Sequence, residues 1–282
     1  MKAMKRAGRK SSKSWALVMD KKYLIIHMDD MGSSHAANVA GMELFNKGIV
    51  TSSSVMMPCA YAYDFIRWQI RNPQYDTGVH FTLTCEWDNA KWRPVGSYSQ
   101  TASLWNNQQF MWQTNDEVLQ NADPQDAYNE LEAQVKLALR WGLTPSHFDR
   151  HMHTVNLSPE LCAVYTGLSQ KYNTMFQITK AESILEPNIT PLDRLIGVGG
   201  KPGLSLQQKF DCLYDLLRRL EPGITQLTIH PVIDTPEIRY IIPDWYERYY
   251  EYQMFMADET LEIIKENDIE LINYKDLSNM KG

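Results

Sequence analysis

Tyr23-Leu24-Ile25-Ile26-His27-Met28-Asp29-Asp30-Met31-Gly32 runs from an apolar stretch into two adjacent carboxylates and a glycine. Residues 23–28 are few and apolar, as suits a strand buried on both faces of a helix-covered parallel sheet. Gly32 lets the chain turn sharply after the acids. Ser33 or Ser34 can cap a following helix whose apolar side carries Ala36, Ala40 and Leu44, and Gly48 stands where a C′ glycine belongs. The whole is one β-turn-α unit with acids at its turn.

The rest of the chain repeats that alternation. Further strands are predicted at residues 50–57, 77–84, 147–154, 175–179, 226–230 and 269–274. Helices are predicted at 61–71, from the Asp123 cap and Pro124 to the Gly142 stop, and at 159–171, 205–220 and 244–267. Seven strands separated by helices imply parallel pairing and right-handed crossovers, in a barrel or an open doubly wound sheet. No repeat or linker divides the chain, so residues 15–282 read as one α/β domain, with an aperiodic insertion at 86–114.

Bulk composition excludes several classes. Of 282 residues, 44% are hydrophobic and 22% charged, which fits a globular protein with an ordinary core. A formal net charge of −6 argues against a nucleic-acid partner. Residues 1–14 read as a flexible basic arm. The apolar run at 15–19 is too short for a secretory signal, and no stretch approaches a membrane span. The four cysteines are scattered without a CxxC pair, as expected of reduced thiols in a cytoplasmic protein.

Chemistry-bearing residues cluster at the predicted strand ends. Asp29-Asp30 closes the first strand. His80 lies on the polar face of a strand whose other face carries Val79, Phe81 and Leu83. Asp149, His151 and His153 stand at i, i+2, i+4, one face of a strand, where burial is costly without a compensating ion. His230 precedes Pro231 at a sheet rim. Ligand sites in α/β folds lie at the carboxyl ends of strands, where all four segments arrive. A lone Asp-Asp before a helix is more often a cap, and a lone strand histidine more often structural; their coincidence is what points to a site.

These segments, HMDDMG followed by GIVTSSSVM, then TGVHFTLT, HFDRHMH and TIHP, resemble the YdjC/ChbG family of carbohydrate deacetylases, relatives of the polysaccharide deacetylases. The similarity extends from about residue 23 to 274. It implies a distorted (β/α)7-type barrel, one divalent ion (Mg2+ or Zn2+) and removal of an acetyl group from an N-acetylated sugar or oligosaccharide. By motif position, Asp30, His80 and His151 would hold the metal, Asp29 would be the general base and His230 the general acid. Asp149 would accept the outer N–H of His151, and His153 would be a fourth ligand, a neighbour of the ligands or a substrate contact. His27 would either pack or support the site residues from behind, and His147 is a strand-start residue. Family analogy also admits a homodimer. Two features depart from the pattern: Arg150 replaces a small residue, and residues 176–179 lack an arginine that some relatives carry.

In the insertion, Trp87 and Trp92, with Trp105 and Trp112, either stack on a sugar or anchor a long loop. The aromatic segment Trp245–Tyr252 reads as body packing or a subunit contact. Other readings are a related metal-dependent hydrolase of another amide or ester, and a non-catalytic sugar-binding relative. The amidohydrolase pattern puts its HxH on the first strand, unlike this chain, and both Asp29 and His230 are present.

Overall fold

In the computed structural model, which describes residues 20–182, 189–198 and 200–280, the side chains of β1 (Lys22–Met31) alternate between two environments. Leu24, Ile26 and Met28 pack outward into the large core shared with the helices. Tyr23 and Ile25 pack inward with Ile224, Tyr274 and Leu277. His27 and Asp29 continue the inward row toward the carboxyl end of the strand. The basic arm and the apolar run at 15–19 lie outside the described residues.

Further strands are β2 (Ser52–Val55), β3 (Asp76–Phe81), β4 (His147–Arg150), β5 (Met175–Phe176), β6 (Arg194–Gly197), β7 (Gly223–Ile229) and β8 (Ile269–Leu271). All their pairings are parallel. Seven strands follow the order β5-β4-β3-β2-β1-β7-β6, and β8 pairs with the start of β1. The two outer edges meet through a parallel bridge between Thr179 and Leu192, where the Leu192 N–H donates to the Ile178 carbonyl at 2.8 Å. The result is the expected distorted barrel.

Helices α1 (His35–Lys47), α2 (Ala62–Arg71), α3 (Pro124–Arg140), α4 (Pro159–Tyr172), α5 (Leu206–Arg218), α6 (Trp245–Met256) and α7 (Asp258–Glu266) follow the strands. Ser34 is the residue that caps α1, its hydroxyl accepting from the Ala37 N–H, and Gly48 closes the helix at φ 79°. Asp123 caps α3 in the same way.

Three expectations need correction. β6 was not foreseen, because four residues before a glycine pair carry too little apolar pattern to register as a strand. The last predicted strand lies off the seven-strand path. The single helix expected at 244–267 breaks at Ala257, whose extended backbone (ψ 131°) ends α6 and starts α7.

The 86–114 insertion is tied down at its base. Cys85 N–H donates to the Trp112 carbonyl at 2.7 Å. The buried Glu130 carboxylate of α3 accepts from the Val95 and Gly96 N–H groups at 3.0 and 2.7 Å. All four cysteines are free thiols. Among the described residues, no helix is long and apolar enough to cross a membrane.

Inward positions on the neighbouring strands are small: Ser52 and Ser54 on β2, Gly78 on β3. A Cβ at Gly78 would stand 2.5 Å from the His147 carbonyl oxygen and 2.6 Å from its ring. The imidazole therefore fills the volume the glycine leaves. Gly78→Ala should lower the unfolding free energy by about 1–3 kcal/mol through overpacking. Gly167→Ala, in α4 with nothing within 4 Å of the added carbon, should raise it by about 0.5–1 kcal/mol. Urea titrations of the two variants would show opposite signs; a destabilised Gly167→Ala would contradict the packing described.

Candidate active site

Adjacent residues on a regular strand face opposite ways, yet both Asp29 and Asp30 line one cavity. The cause is local. The β1–β2 register shifts between Met28 and Met31, and Asp30 takes a left-handed φ of 63°. Such a bulge re-aims a side chain, and aspartate tolerates this backbone region better than most residues. Gly32 follows at φ 85°. A Cβ there would stand 2.7 Å from the Ala62 backbone, so the turn requires glycine.

Three side chains converge on one point. Asp30 Oδ1 lies 3.4 Å from His80 Nε2 and 3.2 Å from His151 Nδ1. All three residues are buried. Their ligand-capable atoms lie within 4.8 Å of one another. Asp30 Oδ1 is buried without a hydrogen-bond partner, an expensive state for a carboxylate oxygen unless a cation completes it. Two imidazoles and a carboxylate are a donor set that suits a divalent ion, so the residues present fit the expected metal.

Each of the three is held from behind. Arg248 of α6 donates to Asp30 Oδ2 at 2.7 Å. Asp149 Oδ1 pairs with His80 Nδ1 at 2.8 Å, and Glu86 Oε2 with His151 Nε2 at 3.0 Å. This corrects the reading of Asp149 as the partner of His151. β3 and β4 pair His80 directly opposite Asp149, whereas the chain leaves the strand after Arg150 and swings His151 toward the insertion. The i, i+2, i+4 face ends there too. Met152 and His153 take φ of 50° and 55° within a 3-10 segment, so His153 lines the cavity from the turn and not from the strand.

Asp29 and His230 flank the cluster. Asp29 Oδ2 lies 4.0 Å from His80 Nε2 and 3.7 Å from His230 Nε2, and Asp29 Oδ1 is 3.1 Å from His27 Nε2. The His230 N–H donates to Glu251 at 2.6 Å, which fixes the residue at the rim. His27 supports the site from behind, the second of the two roles expected of it. Fully buried, it links Asp29 to Asp149, whose Oδ2 lies 2.8 Å from His27 Nε2 and accepts from the Ser54 hydroxyl at 2.7 Å. His147 likewise sits inside the barrel, stacked on Tyr274 with centroids 3.8 Å apart.

Electrostatics follow this layout. Burial disfavours the charged imidazole of His27, yet the Asp149 and Asp29 carboxylates raise it to about 9. His151 is raised to about 9 against burial by Glu86 and Asp30. Burial opposes the Asp30 carboxylate, but Arg248 and then His151 hold it well below the usual range. Burial, with the nearby His27, pushes His147 the other way, well below 6.5.

The cavity above the cluster has a volume of about 640 Å³. Trp87 forms part of its wall, with the Arg248 guanidinium 5.5 Å from its ring centre. Trp92 does not line it. Its indole N–H donates to the Thr84 carbonyl at 2.7 Å and its ring backs Trp87 edge-on, so it anchors the loop. Trp105 and Trp112 are anchored similarly, to Thr101 and the Ser103 carbonyl. Arg150 also lines the cavity and pairs with Glu182 at 2.9 Å.

Sequence reading missed Glu86, Arg248 and Ser54. Glu86 stood at the start of an aperiodic insertion and Arg248 in a helix read as packing. Only Ser54, in the Ser52-Ser53-Ser54 run of a predicted strand, left a signal, since small polar residues inside a barrel wall make room for larger partners.

The YdjC-like protein family model matches residues 23–266, and the chain belongs to that family. It is 27% identical over 255 residues to a carbohydrate deacetylase of Thermoanaerobacter pseudethanolicus, covering 90% of this chain and 98% of that protein. To a carbohydrate deacetylase of Thermus thermophilus it is 29% identical over 257 residues, 87% of this chain and 90% of the other. Among solved structures, an Enterococcus faecalis protein provisionally described as a cellobiose-phosphate cleavage protein superposes with a TM-score of 0.80 at 23% identity. It covers 91% of this chain and 99% of its own, and shows the shared fold.

A stability profile tests the buried pairs. In chelator-treated protein the raised imidazoles of His27 and His151 contribute stability that is complete below their ordinary 6.5 and lost as pH rises through about 9. Urea midpoints should therefore fall by an amount worth several kcal/mol between about pH 6 and about pH 9.5. Asp149→Asn, by removing the main partner of His27, should flatten part of that fall. A profile flat over this window would contradict the pairing.

Proposed function

We propose that this chain is a metal-dependent carbohydrate deacetylase that hydrolyses the acetamide of an N-acetylated sugar or oligosaccharide. The observation that carries the reading is the convergence of Asp30 Oδ1, His80 Nε2 and His151 Nδ1, with Asp29 on one flank and His230 at the rim beside it. The family relatives named as carbohydrate deacetylases support the same substrate class.

Asp30, His80 and His151 would hold one divalent ion, with imidazole nitrogens suiting Zn2+ and the hard carboxylate also admitting Mg2+. When bound, such an ion supplies a more acidic water and a polarised acetamide carbonyl. Asp29, free of the ligand set, takes the proton of the attacking water on a carboxylate oxygen. Breaking the C–N bond leaves the electron pair on the sugar nitrogen, which departs as an amine only if it is protonated. His230 Nε2 delivers that proton. Asp149 keeps the outer nitrogen of His80 occupied and so turns Nε2 toward the cluster. His27, packed between Asp29 and Asp149, limits the positions Asp29 can take. Trp87 offers an apolar wall for a sugar ring.

The test is acetate release from N-acetylated mono- and disaccharides by metal-stripped and metal-restored protein. Release should require the metal and fall by about 10²–10⁴-fold in Asp29→Asn. His230→Ala should slow sugar deacetylation far more than hydrolysis of an aryl acetate, whose phenolate leaves without a proton. If no sugar released acetate while the ion bound tightly, the deacetylase reading would give way to a broader metal-dependent hydrolase.

A further inference from the structure

Two consecutive residues at the start of the insertion reach behind two of the three converging side chains. Glu86 contacts the outer nitrogen of His151 at 3.0 Å. Trp87 lies against Arg248, which grips Asp30. The loop holds Glu86 firmly. Its backbone carbonyl accepts from Gln113 Nε2 at 3.1 Å, and the preceding Cys85 N–H is tied to the Trp112 carbonyl. The carboxylate is only one-fifth exposed and is held below the usual range, against burial, by His151.

An imidazole can present either nitrogen to an ion, and the hydrogen bond made by the other one decides which. Of the two histidines in the cluster, His80 receives this from a strand of the barrel. His151 has left its strand and depends on the loop. We propose that Glu86 is a positioning residue that orients His151 Nδ1 toward the ion, so that the insertion overhanging the substrate cavity sets how tightly the ion is held. This rests on the metal-site reading above.

Titration of metal-stripped protein with Co2+, followed by chelator competition and the visible absorption of the bound ion, separates the two ideas. Glu86→Ala should weaken Co2+ binding by about 10–100-fold and alter the spectrum. Glu86→Gln, which keeps one acceptor oxygen and the side-chain shape, should fall between it and wild type. Gln113→Ala loosens the backbone carbonyl of Glu86 but keeps its carboxylate, and should weaken binding less than Glu86→Ala does. Metal-free melting curves of the Gln and Ala variants should show cooperative unfolding, and the Gln variant keeps the test open if the Ala variant fails to fold. Wild-type affinity and spectrum in Glu86→Gln and Glu86→Ala would overturn the role of Glu86 while leaving the metal site standing. So would a loss in Gln113→Ala greater than in Glu86→Ala, which would show that the loop acts on the ion without the Glu86 carboxylate. Failure of the wild-type protein to bind Co2+ would overturn the metal site and this inference together.

Discussion

A carboxylate sealed inside the barrel organises this molecule. Asp149 on β4 meets His80 from β3, Ser54 from β2 and His27 from β1. An ionised carboxylate buried alone would be costly, so all four strands must bring their partners at once. That requirement ties register to chemistry: a strand slipped by one residue would turn its partner outward. The contacts that satisfy Asp149 are also the ones that fix His80 beside Asp30 and His27 beside Asp29. Folding and the preparation of the site are therefore the same event in this part of the chain.

A second constraint comes from volume. Imidazoles, a tyrosine and several carboxylates can share a barrel interior only if the facing positions are small. Ser52, Ser54 and Gly78 provide that space, while Tyr23, Ile25 and Ile224 close the opposite end with apolar packing. Polarity thus increases along the barrel axis toward the carboxyl ends of the strands, and solvent reaches only the last layer, where Asp29, His153 and His230 stand.

Much of this is legible in the sequence alone. Alternation within residues 77–84 placed His80 opposite Val79 and Phe81, and the cap at Ser33 or Ser34, the Asp123 cap and the Gly48 stop marked helix ends that the structure reproduces. Strand ends rich in Asp and His announced a common rim. What stayed hidden depended on departures from regular backbone or on distant partners. The i+2 spacing of Asp149, His151 and His153 suggested one face, but a strand that stops at Arg150 breaks the rule. Glu86 and Arg248 acquire meaning only when a loop and a late helix fold over the cluster, and no local pattern encodes that. β6 was too short for periodicity to reveal, although Leu195, Ile196 and Gly197 line the cavity.

The seam of the barrel carries its own consequence. The Thr179–Leu192 bridge closes the gap just after β5 and just before β6, the two sheet-edge strands, neither of which supplies a candidate ligand. Gln177 and the β6 residues form the cavity wall there. A lineage could lengthen, shorten or reshape this seam and alter which molecules enter while the reacting groups stay in place.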